Sequence, residues 1–544
     1  MSILSFPLSG AYSGLTSFFS LEYLALFLPF CFLIYFFAPS KSKKYFLLMI
    51  SYLFFCLISG GLVVYLLLST LSAFLFGTWL EKIKDKRDSA VKHAEKEQRK
   101  LIKATFQKKL KTIIGLSVVL HIGLILVLKY SSFLTVNINS TLNLMGMPFN
   151  FEIPKLMIPI GISFFTLQII SYLVDVYRGT IKAEKNFFKL ALFVSFFPQI
   201  VEGPICRYSQ TAEQLWSVEQ IKFNNFTMGM QRFLFGMMKK IVIADRLNPL
   251  IKSVFDNPSE HGGIMVVVAS IAYTIQLYMD FSGAMDAVLG IAQVFGITMP
   301  ENFSRPFFSK SISEFWTRWH ITLGTWFKDY IFYPVSMSKK MKNLTTNARK
   351  KIGNYYGPLI SGSIALFCVW LSNGLWHGAA WSYIFFGMYH FSLILLANIT
   401  APVSKNILGK LKINSSSNIY SLFKMIRTAA LVVIGEMFFR ADGLKKGIRM
   451  FMTIFNDFRL PEMGDGFLGD FRLSILDLLV LTAALLGVFV ISILNEKNIG
   501  VREKLQHKSW ILRWSLIIVM ILTIIVFGAY GEGYVQVDPI YANF

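Results

Sequence analysis

Long apolar runs alternate with short charged segments along the whole 544-residue chain. Many of these runs have about 18 to 22 residues, the length that an α-helix needs to cross a ~30 Å hydrocarbon core. They lie near residues 22–38, 45–58, 61–79, 112–129, 156–174, 187–201, 229–244, 264–279, 281–297, 357–372, 379–399, 426–439, 473–494 and 512–530. Some are short or adjacent, so we predict an all-α, polytopic integral membrane protein with about 10–13 transmembrane or re-entrant helices.

The positions of the charged residues indicate how the chain is oriented in the membrane. The net charge is +23, but the basic residues lie in the gaps between apolar runs, where the positive-inside rule places them. This distribution argues against nucleic-acid binding. The first run has no Lys or Arg before it and is followed by Lys41, Lys43 and Lys44, so we expect the N-terminus outside and this loop inside.

Two further basic segments, 81–111 and 338–351, are predicted to be cytoplasmic. The first is expected to be a charged helix or loop with a solvated face. No soluble domain, low-complexity linker or internal repeat is evident, so residues 1–544 are predicted to form a single membrane-embedded domain. The four cysteines lie far apart, in or beside apolar runs and without a CxxC pair, which indicates reduced structural thiols.

The stretch SISEFWTRWHITLGTWFKDY, residues 311–330, places one histidine among many aromatic residues. Ser311 and Glu314 form a capping-box pattern, which predicts that a helix starts there. On a continuous helix, His320 falls inside an arc of apolar and aromatic side chains and points away from water. This residue is either a core histidine satisfied by one hydrogen bond or a neutral imidazole that serves as a base or hydrogen-bonding partner.

A second histidine stands in LSNGLWHGAAW, residues 371–381, at the junction between two apolar runs. Gly374 and Gly378 flank His377, and Asn373 precedes it by one turn. Glycines permit close approach of backbone or ligand, and ionisable residues at membrane depth are functional candidates because burying them is costly. The alternative interpretation is a polar loop at the membrane surface.

Other polar residues also interrupt apolar sequence in the middle third of the chain. Asp280 and Asp286 occur in QLYMDFSGAMD, and their clustering predicts a shared internal cavity. The histidines His121 and His390 lie within apolar runs and are predicted to be packed in the core.

Several of these motifs together resemble the membrane-bound O-acyltransferase family. The similar segments are PIGISFFTLQIISYLVDVYRG (159–179), FFPQIVEGPICRY (196–208), the stretch 276–335 that contains WTRWHITLGTWFKDY, NGLWHGAAWSYIFFGMYH (373–390) and MFFRADGLKKGIRMF (437–451). Within the family they look most like the bacterial branch of alginate O-acetylation and D-alanine transfer proteins, as does the ending DPIYANF. The block 276–390 carries the most specific motifs and is predicted to be the catalytic core.

The resemblance implies a helical wall around a tunnel that joins the two membrane faces. His377 matches the family's catalytic histidine in the WHG motif, and His320 matches the accessory histidine in the RWH motif. Trp316 and Trp319 are expected to shape the tunnel. Asn373, Asp280 and Trp376 are further candidates for lining the tunnel or stabilising an oxyanion. One departure is YPVSMSKKMKN (333–343), where relatives carry a Pro-Leu-Gly-Gly-Asn type turn, so donor preference is not predicted from this segment.

Acyl transfer from a thioester to a hydroxyl fits these residues. It needs a base for the hydroxyl proton and donors for the developing oxyanion; a neutral His377 supplies the base, and Asn373 or an amide near Gly378 could serve the oxyanion. No GxSxG elbow occurs, so direct transfer or a transient acyl-histidine is favoured. No metal and no permanently bound cofactor is predicted; the co-substrate is a cytoplasmic thioester, either acetyl-CoA or an acyl carrier protein.

The resemblance therefore predicts an enzyme of the bacterial plasma membrane, surrounded by membrane lipid, that O-acylates an exported polysaccharide. An extracytoplasmic SGNH-type acyltransferase is the expected partner, because relatives hand the acyl group to a separate protein. D-alanyl transfer to teichoic acid is the alternative within the family. A transporter or channel is a more remote alternative, which would show inverted repeats that the sequence does not display.

Overall fold

The computed structural model describes residues 17–460, 469 and 471–530. Within these residues the chain is predominantly helical and contains no β-strand, only one isolated bridge between Phe303 and Trp319. This confirms the all-α prediction. The ending DPIYANF and the first sixteen residues lie outside the described part of the chain.

We number the described helices in chain order. The α-helices are α1 Leu28–Phe37, α2 Lys43–Ser59, α3 Val63–His93, α4 Gln98–Ile125, α5 Ser131–Leu144, α6 Ile162–Arg178, α7 Phe187–Ser195, α8 Phe197–Ile200, α9 Tyr208–Trp216, α10 Phe223–Met237, α11 Asp245–Asp256, α12 Pro258–Val294, α13 Ile312–Arg318, α14 Ile321–Phe327, α15 Tyr333–Ser336, α16 Lys339–His377, α17 Trp381–Lys410, α18 Asn418–Arg440, α19 Leu444–Asn456, α20 Ile475–Glu496, α21 Val501–Gln506 and α22 Trp510–Phe527. Turns of π-helix cover Tyr23–Phe27, Leu126–Tyr130, Met238–Ala244 and Lys328–Phe332, and 3₁₀ turns cover Ser40–Ser42, Gly60–Leu62 and Pro306–Phe308.

Seven helical stretches in the described chain are long and apolar enough to cross a membrane, which confirms a polytopic protein. They are Ser40–His93, Gln98–Leu144, Pro258–Val294, Lys339–His377, Trp381–Lys410, Ile475–Glu496 and Trp510–Phe527. The first of these stretches turns at Gly60. This residue has a φ of 55°, a backbone conformation that is unfavourable for residues with a side chain. Most of the basic segment 81–111 is helical, in the last turns of α3 and the first turns of α4.

The chain separates into two compact units. The first contains the described residues up to 230 together with 288–300. Its interior includes an aromatic cluster in which the Phe54 ring lies 4.9 Å from that of Phe27 and 6.0 Å from that of Phe197. His121 is a satisfied core histidine there, because its ring nitrogens contact the Ser117 carbonyl oxygen at 2.7 Å and the Ser72 hydroxyl at 3.0 Å.

The second unit contains residues 231–287 and the described residues from 301 to 530. Helices α16 and α17 pack backbone to backbone through glycines. A Cβ on Gly374 would lie 2.5 Å from the Tyr383 carbonyl oxygen, and one on Gly387 would lie 2.4 Å from that of Trp370. Neither distance is compatible with a side chain. The two glycines therefore set the close spacing of the helices that carry His377 and His390.

Candidate functional site

The stretch 311–330 is not one continuous helix. Ser311 caps α13 as predicted, since its hydroxyl accepts a hydrogen bond from the Glu314 amide at 3.1 Å. The helix ends at Arg318, Trp319 is extended, and His320 adopts a left-handed conformation with φ 47° and ψ 51° before α14 begins. The prediction of an unbroken helix was therefore wrong, and the break falls at the histidine.

The residues 302–304 replace the missing helical hydrogen bonds. The Ser304 amide donates to the Arg318 carbonyl at 2.9 Å, and the Ile321 amide donates to the Asn302 carbonyl at 3.0 Å. A left-handed conformation is unfavourable for a non-glycine residue and persists only where the surroundings hold it. The helical pattern could not reveal this break, because the competing partner lies outside the stretch.

His320 is buried at 3% exposure and its protonation follows from its partners. The Asn302 side-chain oxygen accepts from the Thr322 amide at 3.1 Å and the Thr322 hydroxyl at 2.9 Å, and His320 Nδ1 lies 3.1 Å from the same oxygen. Nδ1 must therefore carry the proton, which leaves Nε2 as the basic nitrogen. His320 lies outside the seven candidate spans, and burial lowers its pKa to about 3, so the ring is neutral at pH 7.

His377 ends α16 and is enclosed by aromatic rings. The ring centroids of Phe439 and Phe386 lie 5.0 Å and 6.0 Å from that of His377, and the Tyr383 ring lies 6.5 Å away. A Cβ on Gly378 would lie 2.4 Å from the Tyr383 ring, so a side chain there would displace that ring from its place beside His377. His377 is 6% exposed, which agrees with an interior position and not with a polar loop at the surface.

Trp376 joins the two histidines. Its ring centroid lies 5.6 Å from that of His320 and 4.9 Å from that of His377. The ring of Phe281 also packs against that of His320, with a centroid distance of 4.9 Å. The two motifs are thus brought together in one aromatic cluster, although 57 positions separate them in sequence (377 − 320).

Asn373 lies on α16 one turn before His377 and is 8% exposed. Its side-chain oxygen is buried and has no hydrogen-bond partner among the described residues. A buried amide oxygen without a hydrogen-bond partner is unusual, because removing it from water costs free energy that no protein contact offsets. An amide oxygen accepts hydrogen bonds and does not stabilise an oxyanion, so the predicted oxyanion role would fall to the Nδ2–H of the same side chain.

The two tryptophans of the RWH motif have different partners. Trp316 Nε1 donates to Nδ1 of His390 at 3.3 Å, and the Trp370 ring stacks on His390 at 5.4 Å. Trp319 packs against the rings of Phe303 at 5.1 Å and Tyr278 at 5.8 Å. His390 is fully buried, as predicted for a packed histidine, and it also positions Trp316.

Asp280 is held in an ion pair. Lys240 Nζ lies 2.6 Å from the Asp280 carboxylate and 2.9 Å from that of Asp245, and all three residues are buried. A carboxylate committed to a buried lysine is poorly suited to stabilise an oxyanion. The pairing favours a structural role for Asp280 over the predicted role in the tunnel.

One residue of the site was missed from the sequence, as was a buried carboxyl group next to Gly435. Asn302 holds His320, and its only signal was its position in the block 276–335. Glu436 is 2% exposed, and its carboxyl group faces the side chain of Thr274. It follows Gly435, where a Cβ would lie 2.6 Å from His390 Nε2. A carboxylate inside the apolar run 426–439 was a signal that could have been used.

Metal-ligating side chains do not converge in the described part of the chain: no group of three His, Cys, Asp or Glu residues is arranged to hold an ion. All four cysteines are described, and none is bonded to another.

The chain matches the model of the membrane-bound O-acyltransferase family over residues 180–348, a region that includes His320 but not His377. It is 31% identical over 396 residues to a probable alginate O-acetylase of Pseudomonas syringae pv. tomato, covering 72% of this chain and 68% of that protein. It is also 33% identical to a peptidoglycan O-acetyltransferase of Helicobacter pylori, over 52% of this chain and 54% of the relative.

A teichoic acid D-alanyltransferase of Bacillus subtilis is 30% identical over 44% of this chain and 58% of its own length. The alginate-type relative therefore matches a larger share of this chain than the D-alanyltransferase does. The matched region spans about two thirds of that relative's length.

Proposed function

Because the chain belongs to the membrane-bound O-acyltransferase family and is an O-acyltransferase, we propose that it moves an acetyl group from a cytoplasmic thioester across the membrane for O-acylation of an exported polysaccharide. The acceptor class is supported by the relatives, two of which are named for the acetylation of alginate and of peptidoglycan. The observation that carries the proposal is the contact of both motif histidines with the ring of Trp376.

In the proposed reaction the acceptor hydroxyl attacks the thioester carbonyl. The new C–O bond forms, the C–S bond breaks, and the hydroxyl proton passes through the His377 imidazole to the departing thiolate. General-base catalysis of this kind typically contributes about 10²–10⁴-fold. The aromatic rings around His377 exclude water, which strengthens the electrostatic contribution of nearby dipoles and limits hydrolysis of the thioester.

His320 has a different proposed role. Its Nδ1–H is engaged by Asn302, so only Nε2 is basic, and its left-handed backbone sets the direction of the ring. We assign it to positioning the acyl donor next to Trp376. The expected acceptor is a separate SGNH-type protein outside the membrane, which then esterifies the polysaccharide.

The experiment compares cells that make equal amounts of the native chain, His377→Ala or the control His93→Ala, an exposed histidine on α3. Base-labile acetate and D-alanine are measured on envelope and secreted polysaccharide. We expect acetate esters to disappear only in His377→Ala while D-alanine is unchanged. Loss of D-alanine instead would establish teichoic acid transfer, and an unchanged pattern would remove His377 from the mechanism.

A further inference from the structure

A cavity of about 470 Å³ lies within the second unit. Its lining comes from two parts of the chain: residues 231–305, which include Asn302, and residues 488–520, which belong to the C-terminal helices α20–α22. The volume falls within the range of about 300–1,000 Å³ found for small-molecule sites. The C-terminal helices thus contribute one wall of a space large enough for a ligand.

This cavity reaches the side chain that contacts the accessory histidine, although His320 itself does not line it. Asn302 lines it, and the side-chain oxygen of Asn302 contacts Nδ1 of His320. Tyr278 and Phe303 also line it, and both rings pack on Trp319, the residue just before that histidine. A flexible molecule bound here could place one end beside the histidine cluster.

The C-terminal wall is held in place by ion pairs. Glu496, at the end of α20, accepts from Arg305 Nε at 2.6 Å and contacts Arg318 at 3.1 Å. Arg318 is the last residue of α13, so the pairs connect the C-terminal helices to the segment that ends at His320. The cavity wall and the catalytic segment are therefore coupled directly.

The basic residues that line the cavity are not equally neutralised. Arg232 is paired with both Asp286 and Glu301. Arg513 has no ion-pair partner among the described residues, and its buried Nε donates no hydrogen bond there. Arg502 also lines the cavity; burial and the neighbouring Arg232 guanidinium lower its pKa, while Asp286, Glu301 and Glu503 act in the opposite direction.

We propose that Arg502 and Arg513 bind a phosphate of the acyl donor, and that the donor's thioester end extends past Tyr278 and Phe303 towards Asn302 and His320. The proposal rests on the proposed function, since it assumes a thioester donor. Guanidinium groups suit this role because they stay charged and match phosphate oxygens with paired N–H donors. Coenzyme A and the prosthetic arm of a carrier protein share this phosphate.

The test measures equilibrium binding of radiolabelled coenzyme A to the full-length chain in phosphatidylcholine nanodiscs. Arg502→Gln and Arg513→Gln should each weaken binding about tenfold, as expected for a lost charge-assisted hydrogen bond. The matched control is Lys508→Gln, an exposed cation in the same basic segment that does not line the cavity; it should change binding less than about twofold. Pantetheine, which has no phosphate, should bind all variants equally.

Further arms identify the source of the phosphate. A carrier protein with its phosphopantetheine arm replaces coenzyme A, and nanodiscs containing phosphatidylglycerol test a lipid headgroup. Arginine-dependent binding of coenzyme A, of the carrier or of both supports the proposal. Equal binding by all variants overturns it, as does arginine-dependent binding of phosphatidylglycerol alone.

The binding experiment is independent of catalysis. His377→Ala should bind coenzyme A like the native chain, because His377 does not line the cavity. Failure of the proposed function would appear as unchanged polysaccharide acetate in that variant. Failure of this inference would appear as binding that is insensitive to both arginines.

Discussion

Two groups of buried polar residues in the second unit differ in whether their polar atoms meet an opposite charge or a hydrogen-bond partner. In the lysine cluster, Lys240 is shared by Asp245 and Asp280, with nitrogen-to-oxygen distances of 2.9 Å and 2.6 Å. In the histidine cluster, the polar groups are surrounded by rings instead of opposite charges, and the Asn373 oxygen has no described partner.

The difference separates structural from chemical roles. A charge inside a membrane protein is a functional candidate by default, but a buried charge that meets a close opposite charge is accounted for structurally. Asp280 belongs to this class despite its place in a motif-rich segment. A buried neutral donor or acceptor whose partner is missing is a stronger indication of a reacting site.

The largest expected effect is on stability, from Lys240→Ala. This change leaves two buried carboxylates without their cation, which typically costs about 3–5 kcal/mol. The thermal unfolding midpoint of the detergent-solubilised protein should fall sharply. The control is Lys252→Ala, an exposed lysine on α11, which should have no measurable effect. A normal midpoint for the first variant would mean that the lysine cluster does not support the fold.

The next effect is on activity alone, from Asn373→Leu. The side-chain oxygen makes no described hydrogen bond, so the unfolding midpoint should stay unchanged. The proposed oxyanion donor is the Nδ2–H of Asn373; loss of such a donor typically lowers turnover about 10²–10³-fold, and we expect a loss of this size in acetyl transfer. The measurement is polysaccharide acetate at matched protein levels. Full activity would assign Asn373 to the packing of α16.

The replacement Asn302→Ala should affect stability and activity together. It leaves the His320 and Thr322 donors without their shared acceptor, at a cost of about 1–3 kcal/mol for the buried groups. Thermal unfolding and acetyl transfer are measured on the same preparation. Thr317→Ala, on the exposed face of α13, is the control. Loss of stability with full activity would show that the orientation of His320 is unimportant for transfer.

The smallest effect is expected from Trp316→Phe. Phenylalanine keeps an aromatic ring but lacks the Nε1–H that donates to His390, and a hydrogen bond of this kind contributes about 0.5–1.5 kcal/mol. Unfolding should shift slightly, and transfer should fall less than in Asn302→Ala. A larger fall in activity than in Asn302→Ala would place Trp316 closer to the reaction than His320.

Much of the fold and part of the site could be predicted from the sequence. Apolar runs of spanning length predicted a polytopic helical protein, because lipid leaves the backbone few other ways to satisfy its hydrogen bonds. The cap at Ser311 was also predictable, since it depends on residues three positions apart. His320 and His377 were identified from their motifs, and both are buried.

The break before His320 could not be predicted from the stretch that contains it. Residues 311–330 follow a helical pattern, and the break depends on hydrogen bonds to Asn302 and Ser304. The partner of Asp280 was equally hidden, because Lys240 lies 40 positions earlier (280 − 240) and belongs to another helix. Periodicity describes neighbours within one element and carries no information on such pairs.

The sequence by itself determined the helical, membrane-embedded class and the histidines to test, because hydropathy and local motifs act over a few turns of chain. Only the tertiary structure decided the direction of the His320 ring, the enclosure of His377 and the contribution of the C-terminal helices to the cavity wall. These features depend on packing between distant segments. A left-handed backbone at His320 persists only when the surrounding structure holds it in place.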